Sequence, residues 1–180
     1  MIEIGGKRVP MREQEAEERK KNFLSVPYGY NEDEVIVEAR RCIQCAGAPC
    51  ETDCPINMKI LDMIRAIAYG DFKKALFIAK EDNPIPAITG RVCPQETQCE
   101  GMCPVSKRDN GINIGKLEAF VADWARKNEI KEEFEIVEKP EKIAVIGSGP
   151  AGISCAVDLR KYGFQVTVFE ALHKAGGVLQ

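Results

Sequence analysis

Seven of the eight cysteines in this 180-residue chain fall into two tight groups. Cys42, Cys45, Cys50 and Cys54 lie in RCIQCAGAPCETDCP (41–55), and Cys93, Cys99 and Cys103 lie in VCPQETQCEGMCP (92–104). Pro55, Pro94 and Pro104 each follow a cysteine directly. Proline there removes a backbone donor and fixes the local turn. The fold has to deliver these thiols to a small number of places, and that demand constrains everything around them.

Thiols at this density serve as disulfides, as zinc ligands or as iron–sulfur ligands. The N-terminus, MIEIGGKRVPMREQEAEERKK, lacks the apolar stretch of a secretory signal. The cysteines therefore read as reduced, metal-binding thiols in a cytoplasmic protein. No apolar run approaches the roughly 18 residues of a membrane span. A net charge of −3, with both signs mixed along the chain, argues against nucleic acid as a partner. Zinc sites usually pair two Cys-x-x-Cys knuckles, and only Cys42–Cys45 has that spacing. Iron–sulfur cubes combine a close run with ligands from elsewhere, which fits better. Cys42, Cys45 and Cys50 can wrap three corners of one cluster, while Cys54, beside its Cys-Pro turn, points to another.

Around the thiols the periodicity is helical. Residues 1–30 read as an arm, with a solvated helix in REQEAEERKK (12–21). Asn31 or Asp33 can cap a helix from about Glu32 to Arg41, whose stripe Val35, Ile36, Ala39 and Cys42 delivers the first thiol inward. Asn57 is expected to cap a helix through Tyr69, stopped at Gly70. Asp71 opens another over FKKALFIAKED, broken by NPIP. IPAITG (85–90) reads as a turn of helix at most. Leu117, Phe120, Val121 and Trp124 give IGKLEAFVADWARKN an amphipathic stripe. The expected organisation is an arm (1–30), an α-helical domain (31–130), a charged linker (131–140) and a βαβ segment (141–180).

In that last segment, Ile143–Ile146 reads as a buried parallel strand running into Gly147-Ser148-Gly149-Pro150-Ala151-Gly152. A helix (153–163) and a second strand, Gln165–Glu170, follow. Glycines in this context allow backbone N–H groups to approach a pyrophosphate at a helix N-terminus, and Glu170 is placed to accept from a ribose. The fingerprint alone does not separate FAD from NAD. Two strands and one helix cannot cover a parallel sheet on both faces. The chain therefore reads as the N-terminal piece of a longer polypeptide, holding iron–sulfur but not flavin tightly.

Seven thiols are one short of two cubes. His173, the only histidine, belongs to the βαβ part. Cys155 reads as a small buried core residue. An oxygen ligand is left.

The motifs RCIQCAGAPCETDCP, GRVCPQETQCEGMCP, GINIGKLE and KIAVIGSGPAG resemble the N-terminal part of the glutamate synthase small-subunit family. That family is also seen in NADPH–ferredoxin oxidoreductases and dihydropyrimidine dehydrogenase. The resemblance implies a mainly α fold: an α-helical ferredoxin-like bundle, then the truncated opening of a Rossmann-like FAD/NAD(P)-binding domain. It implies two 4Fe–4S clusters with crossed ligation, one on Cys42, Cys45, Cys50 and Cys103, the other on Cys54, Cys93, Cys99 and Glu118. Without it, Glu118 would read as an exposed helix glutamate. It assigns the glycine turn to FAD, with Gly177 in AGGVL continuing the flavin-side loop, and NADPH to a later fingerprint. The implied activity is that of an NADPH-dependent oxidoreductase, with electrons relayed from FAD through the clusters to a partner. The partner would be a glutamate synthase large subunit, a ferredoxin or another flavoprotein. No acid–base residue is visible, and hydride transfer needs none. The alternative from another class is a non-redox module in which metal staples helices for subunit docking.

Overall fold

The computed structural model describes residues 6–132 and 135–180. The first five residues of the expected arm and Glu133–Phe134 of the expected linker lie outside the described residues. The chain falls into two compact units. One runs to Ile130 apart from Asn83–Ile85; the other comprises Asn83–Ile85 and Lys131–Gln180.

The first unit is helical: α1 (Ala16–Arg19), α2 (Glu32–Arg40), α3 (Pro49–Thr52), α4 (Ile60–Ala68), α5 (Phe72–Asp82), α6 (Pro86–Val92) and α7 (Ile114–Lys127). Asn31 caps α2 in a reciprocal box. Glu34 N donates to Asn31 Oδ1 at 2.8 Å, and Asn31 N donates to Glu34 Oε2 at 2.8 Å. Asp71 starts α5 by accepting from Lys74 N at 3.0 Å. Gly70, at φ +78°, ends α4 in a Schellman turn: its N–H bonds Ile67 O, and Asp71 N bonds Ala66 O.

Ile60, Met63, Ile64 and Ile67 of α4 meet Leu117 and Val121 of α7 in the core, with Val35 of α2. Phe72 supports the α7 stripe edge-on, its ring centroid 5.1 Å from Phe120 and 5.5 Å from Trp124. Helices α6 and α7 touch backbone to backbone. A Cβ on Gly90 would stand 2.6 Å from Gly115 O and 2.7 Å from Ala119 N.

Several expectations differ in detail. Asn57 is not a cap: it lies in a left-handed turn at φ +52°, and α4 starts three residues later at Ile60. IPAITG belongs to a seven-residue helix rather than a single turn, because the glycine that weakens its propensity allows it to lie on α7. Helix α3, inside the first cysteine run, has no periodic stripe to announce it and starts on Pro49, a favoured first-turn residue.

The second unit is a βαβ: β1 (Lys142–Ile146), α8 (Pro150–Lys161) and β2 (Gln165–Phe169). The strands are parallel, in register from Lys142–Gln165 to Ile146–Phe169. β1 is not a buried strand. Val145 is buried, but Ile146 is 81% exposed, because one neighbouring strand and one helix cover a single face. For the same reason Cys155 of α8 is exposed and not a core residue; α8 contributes no buried residue. Gly163 (φ +94°) packs tightly on the preceding segment, and Lys139 N donates to its carbonyl at 2.9 Å. Among the described residues no helix is long and apolar enough to cross a membrane.

The α6–α7 contact gives a test. Alanine normally improves a helix over glycine by about 1 kcal/mol. At position 90 a methyl would press on backbone that cannot rotate away, and overpacking of this kind destabilises by about 1–3 kcal/mol. Gly90→Ala is therefore expected to lower the thermal midpoint of the helical unit in a circular-dichroism melt. A raised midpoint would show that the helices separate freely.

Candidate metal centre

Helix ends and tight turns deliver the thiols. Cys42 follows α2 directly, its N–H bonded to Ala39 O at 3.1 Å. The chain then reverses through Gln44 (φ +51°) and Ala48 (φ +38°), both left-handed. Non-glycine residues hold that conformation at about 1–2 kcal/mol each. Among the described residues, two of the four such positions, Gln44 and Ala48, lie in the first cysteine run and a third, Asn57, lies just after it, so local strain is concentrated there. Ala48 caps α3, which carries Cys50; Cys54 follows that helix, with its N–H on Glu51 O. Glu51 ties α3 to α4 by accepting from Leu61 N at 2.8 Å. Cys93 leaves α6 with its N–H on Thr89 O at 3.0 Å. Cys99 follows a 3₁₀ turn (Gln95–Thr97), and Cys103 precedes another (Pro104–Lys107).

All eight cysteines are free thiols. Cys50, Cys99 and Cys103 are buried, and Cys42, Cys45, Cys54 and Cys93 are half-buried. The groups that act on one another electrostatically form two sets. Burial raises the Cys42 thiol, with repulsion from Cys103 and Cys45 adding to it. Burial pushes Cys50 up to about 12, helped by Cys42, Glu51 and Cys103. Burial likewise raises Cys93, with Glu118 and Cys54 as its charged neighbours. Cys99 is pushed up to about 12 by burial and then by Glu100, with Cys54 and Glu118 behind them. Cys103 is thus a charged neighbour of Cys42 and Cys50, whereas Cys54 and Glu118 are charged neighbours of Cys93 and Cys99.

Glu118 is not the exposed helix glutamate its position would suggest by default; it is 7% exposed on the buried side of α7. Its carboxylate accepts from the Thr89 hydroxyl, one turn before Cys93. Thr89 carries no motif, and only its bond to Glu118 reveals its place. Gln44 is a second such residue: its side-chain amide donates to Cys42 Sγ at 3.4 Å. Among the described residues, no three His, Cys, Asp or Glu side chains converge tightly enough to hold a single metal ion. Thiols in this number, buried or half-buried, are the donor chemistry that iron–sulfur clusters take.

The glycine-rich turn has its own geometry. Gly147 is left-handed at φ +94°, and a Cβ on Gly152 would lie 2.0 Å from Gly147 O, so helix and turn touch. A Cβ on Gly149 would meet nothing within 4 Å, and no side chain caps α8. Pro150 opens α8, and a helix N-terminus with no side-chain cap suits an anion. Ser148 is buried and donates twice to Glu170 Oε2, from N at 3.0 Å and Oγ at 2.5 Å. Leu172 N donates to Glu170 Oε1 at 2.8 Å. These bonds, the Ser148 hydroxyl first, hold the Glu170 carboxyl down at about 2. The carboxylate that spacing offered to a ribose is thus already engaged by Ser148 and Leu172. Gly176 N donates to Ser148 Oγ at 3.0 Å, and Gly177 (φ +57°) lies against Gly149.

The raised thiols have a pH consequence. Values near 12 for Cys50 and Cys99 in the fold exceed their ordinary 9.0, so the neutral thiols stabilise the metal-free protein. That stabilisation is complete below about pH 8.5 and is lost as pH rises toward 12. Thiolates held on cationic metal have no proton to lose. Metal-free protein is therefore expected to melt at falling temperature between pH 8.5 and 11, more steeply than metal-loaded protein. Equal slopes would mean that these thiols are not the ligands.

Comparison with known proteins agrees with the resemblance drawn from the cysteine motifs. The chain is 37% identical to UacF of Escherichia coli (strain K12) over 91% of its own length and 26% of that protein's. It is 31% identical to the glutamate synthase [NADPH] small chain of Azospirillum brasilense, covering 91% of this chain and 34% of the relative. It is 36% identical to the NAD-dependent dihydropyrimidine dehydrogenase subunit PreT of E. coli (strain K12), covering 81% and 35%. The chain thus spans about a quarter to a third of the curated relatives it matches. Residues 145–180 match an NAD(P)-binding Rossmann-like domain. Residues 19–130, well over half of the sequence, match the model for dihydropyrimidine dehydrogenase domain II, 4Fe–4S cluster, and the chain belongs to that family.

Proposed function

We propose that the helical unit holds two 4Fe–4S clusters, one on Cys42, Cys45, Cys50 and Cys103 and the other on Cys54, Cys93, Cys99 and Glu118. The observation that supports this reading is that Cys103 neighbours Cys42 and Cys50, while Cys54 and the buried carboxylate of Glu118 neighbour Cys93 and Cys99. Clusters bound there would supply one-electron carriage. The chain's own contribution is to bury the sulfurs, to fix their turns through Gln44 and Ala48, and to orient Glu118 through Thr89. A carboxylate ligand is harder than a thiolate, and that sets the second site apart electronically.

The whole protein is then a cytoplasmic NAD(P)H-dependent oxidoreductase. The turn Gly147–Gly152 would seat the pyrophosphate of FAD, with Gly177 beside it and Glu170 sharing its carboxylate between Ser148 and a ribose. NADPH would bind at a second fingerprint. The relatives' names, a glutamate synthase small chain and a dihydropyrimidine dehydrogenase subunit, support a partner protein as electron acceptor: a large subunit, a ferredoxin or another flavoprotein.

Purified anaerobically, the protein is expected to be brown, to bleach with dithionite and to hold about eight iron atoms for two cubes. Colourless protein carrying zinc would contradict the reading. Cys54→Ala is expected to damage the cluster shared by Cys93 and Cys99 and leave the paramagnetic signal of the other intact. Loss of the cluster on Cys42 instead would reverse the wiring.

A further inference from the structure

Polar groups from three separate segments converge on one buried ion pair beside Cys42. Arg41 Nη1 and Glu38 Oε1 are 2.6 Å apart, with side chains 3% and 0% exposed. Arg41 donates from Nε to Gly6 O at 2.7 Å, from Nη2 to Asn110 O at 2.7 Å and from Nη1 to Gly111 O at 3.4 Å. Glu38 accepts from Val9 N and from Asn113 N, each at 2.9 Å. The pair therefore binds the N-terminal arm and the 110–113 loop at once. That loop leads to Cys103: a Cβ on Gly111 would stand 3.3 Å from Cys103 Cβ. Arg8 ties the arm to the same region, from N to Asp109 Oδ2 at 2.8 Å and from Nη2 to Glu100 Oε2 at 2.7 Å. The Tyr30 hydroxyl closes the circuit, donating to Val9 O and accepting from Asn113 Nδ2, both at 2.8 Å.

We propose that Arg41 is a positioning residue for the cluster on Cys42, Cys45, Cys50 and Cys103, and that the Gly6–Val9 stretch is the strap it locks in place. The proposal rests on the ligand assignment above. Cys42 and Cys103 are far apart in sequence, and the Arg41 fork spans from the residue beside one to the loop against the other. Guanidinium is needed because its five donors lie in a rigid plane; lysine keeps the charge but cannot reach Glu38 and three carbonyls together. The ion pair is retained here for geometry, since a buried pair adds little net stability compared with apolar packing.

The test uses anaerobically purified, iron-loaded Arg41→Lys and Val9→Pro, the latter removing one N–H donor from Glu38 in the half-buried arm. Iron release to a chelator is followed by paramagnetic resonance for each cluster separately. Release from the first cluster is expected to accelerate about 10–100-fold, the usual effect of losing an outer-shell partner of a metal ligand. The second cluster's signal should persist, which itself shows that the bundle has folded. If Arg41→Lys fails to fold, Val9→Pro decides. Unchanged release, or equal acceleration from both clusters, in a folded variant overturns the proposal. Cys42→Ser and Cys54→Ser are run beside them. If both abolish the same signal, the ligand assignment is wrong. If they abolish different signals while the Arg41 and Val9 variants show no selectivity, only the strap is wrong.

Discussion

A sulfur removed from water resists ionising, and this molecule removes several from water in the same small volume. Cys50 and Cys99 are raised to about 12, by burial first and then by neighbouring charge. Thiolates gathered this way repel one another and sit in a poor solvent, and cationic iron relieves both penalties. The rest of the helical unit depends on that condition. Helices α2, α3 and α6 stop shortly before a cysteine, and Gln44, Ala48 and Asn57 beside them adopt left-handed conformations that non-glycine residues otherwise avoid. The apolar contact of α4 with α7 lies in the same core as Cys50, Cys99 and Cys103.

In the proposed ligation the two thiol sets cross in sequence, so the first run is incomplete by itself. Cys54 lies one helical turn beyond Cys50, yet its electrostatic neighbours are Cys93 and Cys99. Cys103, ten residues after Cys93, acts instead on Cys42 and Cys50. Helix α3 lies between the two: it carries Cys50, which is buried, and Cys54 follows it half-buried. Each set therefore draws on both cysteine runs, and the clusters would bind the bundle together as well as carry electrons.

Much of this was legible in the sequence because the signals are local. The cap at Asn31, the stop at Gly70 and the strand–turn–helix around Gly147–Gly152 are determined by neighbouring residues and could be placed without tertiary knowledge. The failures involve contacts between distant residues. Helix α6 looked too short because the benefit of Gly90 lies in α7, and Cys155 and Ile146 looked buried because a fingerprint does not say how much of a sheet is covered. Asn57 was chemically plausible as a cap, but the turn after Cys54 claimed it. Glu118 came to notice only through family resemblance; its burial and its bond to Thr89 have no sequence signature. Arg41 was hidden for a similar reason, as its partners at Gly6, Asn110 and Gly111 are backbone carbonyls that any residue would present.

The most direct test of the central claim is to locate iron in the anaerobic protein by anomalous diffraction at the iron edge. Two separate four-iron centres are predicted, one bonded to Cys42, Cys45, Cys50 and Cys103, the other to Cys54, Cys93 and Cys99 with a carboxylate oxygen of Glu118 completing it. A single centre enclosed by the four cysteines of the 41–55 run, or a second centre on which Glu118 makes no bond, would contradict the account.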